Sequence, residues 1–186
     1  MDFVNKIYEL WCRLNLKLSF RKKKMFPELK AGPDMEEVKR FFVEASLNTY
    51  AADAPKTAIE ALPKSKAFYY ERGSFLYIDL YFSSGKKRCG QAIIWYKGEP
   101  VGGMSYQGFW EGKDESIIPF LKRALRSSYQ NGEFVGGRGP ESYNEGALEY
   151  RNRLWREKFE DFNGDEEIWQ GAKLVFHRHY EGMALI

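Results

Sequence analysis

The chain has 186 residues, 29 Lys and Arg against 26 Asp and Glu, and only two cysteines. That length suits one domain with a short extension, and the cysteine count excludes both a disulfide framework and a cysteine zinc site. Twelve Tyr and 14 Phe favour strands and stacking surfaces over a helical bundle.

The small net charge of +3 is unevenly placed, with +5 in residues 1–30 and −2 over the rest. Basic attraction therefore belongs to the N-terminal segment, and the main domain gives no strong nucleic-acid signal. Val4, Ile7, Leu10, Trp11, Leu14 and Leu18 recur at helical spacing, which predicts an amphipathic helix over residues 1–20. Asn5, Lys6 and Glu9 interrupt its apolar start, so no signal peptide is read and a reducing cytoplasm is the expected compartment. No stretch approaches the ~20 apolar residues of a membrane helix. Arg21, Lys22, Lys23 and Lys24 follow. They are expected as a solvated basic helix end; weak contact with an anionic membrane surface is the alternative. "FPELKAGPD" reads as a linker, which sets residues 1–33 apart from a domain over 34–186.

Asp34 caps the next helix, with Glu37 three residues on in a capping-box arrangement, and Val38, Phe41, Phe42 and Ala45 form its apolar stripe. From Ala67 the period changes to two. "FLYIDLYF" places Leu76, Ile78, Leu80 and Phe82 on one face and Phe75, Tyr77, Asp79 and Tyr81 on the other. The aliphatic face is expected to lie under the helices. Turns at "SSGKK" and "KGEP" make residues 67–108 an antiparallel meander. Ser116 begins another helix, with Pro119 in its first turn and Ile117, Ile118, Leu121 and Leu125 buried. After the glycine-rich run "VGGRGPESYNEG" come further strands, with a hairpin expected at Asn163-Gly164 and a turn at Gln170-Gly171. No internal repeat is read. The fold class is α+β: one curved antiparallel sheet, a meander of six to eight strands, with two or three helices packed on one face.

"GSFLYIDLYF", "GQAIIWYKGEPVGGMSYQG", "FLKRALR" and "GRGPESYNEG", in this order and ahead of closing hairpins, resemble the prokaryotic domain-of-unknown-function family numbered 5680, over about residues 40–186. Its recurring elements fall on Tyr77, Asp79, Tyr81, Gly90, Gln91, Trp95-Tyr96-Lys97-Gly98, Tyr106, Arg138-Gly139-Pro140 and Tyr143. Members resemble stand-alone proteins or the C-terminal part of helix-turn-helix regulators, and the resemblance implies no chemistry. Glu181 in "HYEGM" stands where the family often shows a histidine, and residues 1–34 show no helix-turn-helix.

The candidate ligand-binding residues are Tyr77, Asp79, Tyr81, Gln91, Trp95 and Tyr106, expected to form an aromatic floor with two fixed polar groups. Arg138 and Tyr143 are delivered to its rim by the glycine-rich loop. That loop follows a helix and precedes a strand, and it lacks the helix start that a phosphate-cradling loop needs. The competing reading buries Asp79 in an ion pair with Arg88 or Arg138. His177 and His179 share one side of a strand, as a metal pair would, but two histidines are expected to be hydrogen-bonded or exposed, and no metal or cofactor is assigned. Cys89 is expected to be a small buried thiol. Together these favour a small-molecule-binding or regulatory module whose concave aromatic and polar sheet face holds a small polar or anionic ligand. The alternative is a hydrolase with an Asp or His base and an arginine for a developing anion; a weaker one is a protein-interaction or membrane-peripheral role. Oligomeric state stays open.

Overall fold

The computed structural model describes residues 32–111 and 115–186. The helix expected over residues 1–20, the basic run 21–24 and all of the linker but Gly32, Pro33 and Asp34 lie outside the described residues. Pro33–Ile186 forms one compact unit.

Helix α1 spans Met35–Asn48 and starts as its sequence requires, with the Asp34 carboxylate accepting from the Glu37 amide at 2.7 Å. Such a cap contributes about 1 kcal/mol by satisfying one of the orphan donors of the first turn. Its stripe of Val38, Phe41, Phe42 and Ala45 is buried. Four strands follow: β1 (Lys66–Arg72), β2 (Phe75–Ser84), β3 (Lys87–Tyr96) and β4 (Glu99–Trp110). Helix α2 (Ile117–Tyr129) precedes four more: β5 (Ser142–Glu145), β6 (Leu148–Lys158), β7 (Asp161–Gln170) and β8 (Lys173–Ala184). All pairings are antiparallel, in the order β1-β2-β3-β4-β8-β7-β6-β5. The sheet is thus not one meander but two four-stranded meanders joined where β4 pairs with β8.

Both helices pack on one face, and it is not the aliphatic one. Phe75, Tyr77, Asp79 and Tyr81 are buried beneath them, whereas Leu76, Ile78, Leu80 and Phe82 are only half-buried on the outer face. Phe41 stacks on Phe75 with ring centroids 4.7 Å apart, and Phe42 meets Tyr77 edge-on at 6.2 Å. The aromatic stripe of α1 finds its match in the aromatic side of β2. Polar atoms are tolerated there because they bond one another. The aliphatic side is partly shielded instead by cross-strand neighbours such as Ile93 and Trp95. Replacing Phe42 by Ala would remove a fully buried ring at a cost of about 3–5 kcal/mol.

The two halves repeat one plan, a helix followed by a four-stranded meander. Moving along the chain by the same step takes Gly90 and Tyr106, paired on β3 and β4, to Gly164 and Tyr180, paired on β7 and β8. Tyr106 and Tyr180 face each other across the central β4–β8 pair. Phe41, Ala45 and Tyr50 recur at identical spacing as Phe120, Ala124 and Tyr129. An internal repeat is therefore present, hidden because the shared positions number only a few per element.

This repeat also corrects the hairpin expected at Asn163-Gly164. Both residues lie inside β7, and β6 turns into β7 at Phe159-Glu160. Gly164 is needed for close approach, not for a turn. A Cβ there would lie 2.7 Å from the Tyr180 hydroxyl, and one at Gly90 would lie 2.5 Å from that of Tyr106. Each glycine leaves room for a tyrosine from the next strand to lie flat across it. The turn at Gly171 is as expected, with φ of 58°.

Candidate functional site

On the inner face, period two brings Tyr77, Asp79 and Tyr81 together with Tyr106, as expected, but no open cleft results: all four are buried. The Tyr106 hydroxyl donates to Asp79 Oδ1 at 2.6 Å. At the equivalent place in the second half, the Tyr180 hydroxyl donates to Asn152 Oδ1 at 2.6 Å. Between them lies Glu166, with no exposure, whose carboxylate accepts from Arg138 at 2.6 Å, Arg178 at 3.2 Å and the Tyr150 hydroxyl at 3.1 Å. Arg138 is therefore paired, but with Glu166 and not with Asp79. Arg88 lies over the rings of Tyr81 and Trp110, at 4.7 and 5.2 Å.

Burial pushes the Asp79 carboxyl up, against the opposing pull of the Tyr106 hydrogen bond and of Arg178, Arg138 and Arg88. Burial likewise raises the Tyr106 phenol, assisted by the nearby Asp79 carboxylate, and holds Tyr129 at about 12. Burial works against the charge on Arg138, and the Glu166 carboxylate more than reverses this, keeping the guanidinium protonated. These groups face one another, which suits a structural network.

The glycine-rich loop belongs to this network. Tyr129 donates to the Gly137 carbonyl at 2.8 Å, the Gly139 amide donates to Tyr150 at 3.0 Å, and Asn152 donates to the carbonyls of Val135 and Gly139. Gly137, at φ of 69°, also lies against the Phe42 ring, where a Cβ would come within 2.6 Å. The loop is a buried plug that inserts Arg138, with its backbone groups already engaged. Tyr143 lies apart on the edge strand β5, its ring against Phe120 and its hydroxyl 3.3 Å from Glu145.

Gln91 and Trp95 separate from the Asp79 group altogether. Asp79 pairs with Ala92, whereas Gln91 and Trp95 pair with Leu80 and Leu76, so both side chains stand on the outer face. The expected floor combining Asp79 with Gln91 does not exist, because one residue of register decides the face.

The outer face carries a different site. A cavity of about 670 Å³ lies over β3, β4 and β8, with Pro63, Phe82 and Phe109 as apolar walls. Lys64, Lys87, Arg88, His177 and His179 also line it, and no acidic side chain does among the described residues. Neither Lys64 nor Lys87 has an ion-pair partner among the described residues. Lys64 sits at φ of 62°, a left-handed conformation that costs a lysine energy. Cys89, expected to be buried, is an exposed thiol in this cavity. Its side of β3 is the one the helices do not cover.

His177 and His179 share a carboxylate. His179 Nδ1 lies 3.0 Å from Asp165 Oδ1 and His177 Nε2 lies 3.4 Å from the same oxygen, all three side chains being partly exposed. Phe109 leans on His177 and Trp155 on His179, with centroids 6.0 and 5.7 Å apart. Among the described residues, no group of three or more His, Cys, Asp and Glu side chains is arranged to hold a metal ion. The period-two reading of "HRH" already put the two histidines on one side. Missing from the sequence was the Pro63-Lys64 bend, which arrives from a loop to close the cavity.

No helix among the described residues is long and apolar enough to cross a membrane. No curated protein matches the chain, nor does any solved structure. One family model matches residues 79–185, more than half of the chain, from Asp79 on β2 to the residue after β8. That span takes in seven of the eight strands in whole or part and the second helix, and the chain belongs to the family described as "Domain of unknown function (DUF5680)".

Proposed function

We propose that this domain is a binding module for a small organic anion with an apolar body, held in the outer-face cavity and not against Asp79. The observation that carries this reading is the lining of that cavity: apolar walls from Pro63, Phe82 and Phe109, with Lys64 and Lys87 and no acidic side chain in the lining among the described residues. A volume of about 670 Å³ suits a small molecule. The ammonium groups of Lys64 and Lys87, without an ion-pair partner among the described residues, supply attraction for a carboxylate or phosphate. The inner polar network joins Asp79 to Tyr106, Asn152 to Tyr180 and Glu166 to Arg138, Arg178 and Tyr150, and it serves to fix the sheet that displays the cavity.

Thermal-shift and calorimetric titration with aromatic and short-chain carboxylates and with phosphate monoesters tests this. Binding at a hundredfold excess over Kd adds about 2.7 kcal/mol to stability, a readily measured rise in melting temperature. Lys87→Glu is expected to weaken binding by roughly fivefold or more, about 1 kcal/mol for a partly solvated charge contact. If no anion stabilises the protein, or Lys87→Glu leaves a found affinity unchanged, the reading fails.

A further inference from the structure

We propose that the cavity is also a hydrolytic site, in which His179 is the general base that activates water against an ester or thioester with an anionic tail. The inference rests on the reading of the cavity as an anion site and adds a reaction to it. Three observations carry it.

The first is the orientation of the imidazole. An ionised carboxylate only accepts, so the 3.0 Å contact with Asp165 places the proton of His179 on Nδ1 and leaves Nε2 with its lone pair. The second is direction. Asp165 stands on β7, on one side of β8, and does not line the cavity, whereas Gln107 and Cys89 stand on β4 and β3, on the other side, and do. His179 itself lines the cavity, and on this geometry its free nitrogen is proposed to stand on the cavity side. A base held by a carboxylate behind it is the arrangement that general-base catalysis needs.

The third is the row across the sheet. Cys89 pairs with Gln107 and Gln107 with His179, so Cys89 and His179 are two strand spacings apart, roughly 10 Å between Cα atoms. That gap is too wide for direct proton transfer from thiol to imidazole. It leaves room for a water and a substrate carbonyl above Gln107, which lines the cavity and whose amide would donate to the developing oxyanion. Lys87 lies on β3 one row further along, opposite Phe109 and His177. An anionic tail held there puts a carbonyl several ångströms away within reach of His179.

In the reaction, His179 Nε2 removes a proton from water as the water oxygen bonds to the carbonyl carbon. The tetrahedral intermediate collapses by breaking the bond to the leaving oxygen or sulfur, which takes the electron pair and the proton from the imidazolium. The products are a carboxylic acid and an alcohol or thiol. Asp165 is a positioning residue, and His177 shares its carboxylate.

The test uses the full chain with the p-nitrophenyl monoester of glutaric acid, and with neutral p-nitrophenyl acetate for comparison. Saturable hydrolysis of the anionic ester is expected, with kcat/KM at least tenfold above that of the acetate. His179→Gln is expected to lower kcat by 100-fold or more with KM little changed. Asp165→Asn should lower kcat by 10-fold or more while glutarate binding, followed by calorimetry, is kept. A kept melting temperature in both variants excludes misfolding. A rate no greater than the uncatalysed background, or His179→Gln as active as the parent, overturns the proposal. So does a stoichiometric acyl adduct on Cys89 in the quenched reaction, since the thiol and not water would then be the nucleophile. Glutarate bound in a Lys87-dependent way without ester turnover overturns the hydrolytic step and leaves the binding reading standing. Absence of both removes both.

Discussion

Replacing Glu166 by Gln keeps the shape of the most deeply buried carboxylate and removes its charge. In the parent protein, Glu166 has no exposure and accepts from two guanidinium groups, at 2.6 Å from Arg138 and 3.2 Å from Arg178, and from Tyr150. Both arginine side chains are themselves buried, at 7% and 5% exposure. A neutral amide cannot compensate two buried cations, although its oxygen can still accept from both in the place of Oε2. Breaking a buried pair in this way costs about 3–5 kcal/mol, chiefly as uncompensated charge. For a domain of this size a loss of 1 kcal/mol lowers the melting temperature by about 2–4 °C. Glu166→Gln is thus expected to melt about 6–20 °C lower, and the loss is a large share of a total near 5–15 kcal/mol. Thermal and urea denaturation followed by circular dichroism measure it. Glu166→Leu with Arg138→Met and Arg178→Met, which removes the charges together, should recover much of the loss. A fall of less than about 2 °C in the single variant would refute the reasoning, since Glu166 would then not be what neutralises the two arginines.

The tyrosine–glycine pairs give a matched test: Gly90→Ala and Gly164→Ala each drive a methyl group into a tyrosine ring and a strand carbonyl. Each should cost about 1–3 kcal/mol by overpacking, and Tyr106→Phe should not relieve the first, because the ring itself is the obstacle; stability of Gly90→Ala equal to the parent would contradict the close approach. Asp79 carries a pH prediction. Its carboxyl is raised in the fold, so the folded state holds that proton more tightly than the unfolded chain does. Its contribution to stability is therefore full below the ordinary carboxylate range and is lost as pH rises through the raised value. Asp79→Asn should then gain relative to the parent between pH 4 and pH 7, by no more than about 1.4 kcal/mol per pH unit, and an equal difference in urea-derived stability at the two pH values would refute it.

What the sequence disclosed was mostly local. Asp34 and Glu37 announced α1, and the alternation in "FLYIDLYF" announced β2, because a cap and a period-two pattern depend on near neighbours. The faces were not legible in the same way. Leu, Ile and Phe on one side of β2 give every reason to bury that side, yet the helices cover the aromatic one, where the Asp79 carboxylate accepts from Tyr106. Arg138 and Glu166 are 28 residues apart, and nothing local marks them as partners. Asn163-Gly164 misled for a related reason: the dipeptide favours a turn, but the glycine answers to Tyr180 on the next strand. Gln91 and Trp95 were placed on the wrong face because the register between β2 and β3 had to be assumed.

The repeat bears on where function lies. The step that carries Gly90 to Gly164 and Tyr106 to Tyr180 carries Lys87 to Asp161, Gln107 to Glu181 and Phe109 to Met183. In the reverse direction it carries His177 to Gly103 and His179 to Ser105. Gly103, Ser105, Asp161, Glu181 and Met183 line a second outer groove of about 340 Å³, so the two grooves are counterparts. On the inner face Asp79 answers to Asn152 under paired tyrosines, one residue out of step beside the irregularity in β6, whereas Ala92 and Met104 answer to Glu166 and Arg178, so the buried ion pair belongs to the second half only. On the outer face the same positions diverged in charge, with Lys87 and two histidines in one groove and Asp161, paired to Arg156, and Glu181 in the other. Packing alone would not demand such divergence on a side that the helices leave uncovered. A ligand recognised by one groove only would, which supports the proposed anion site in the groove of Lys87 and the two histidines.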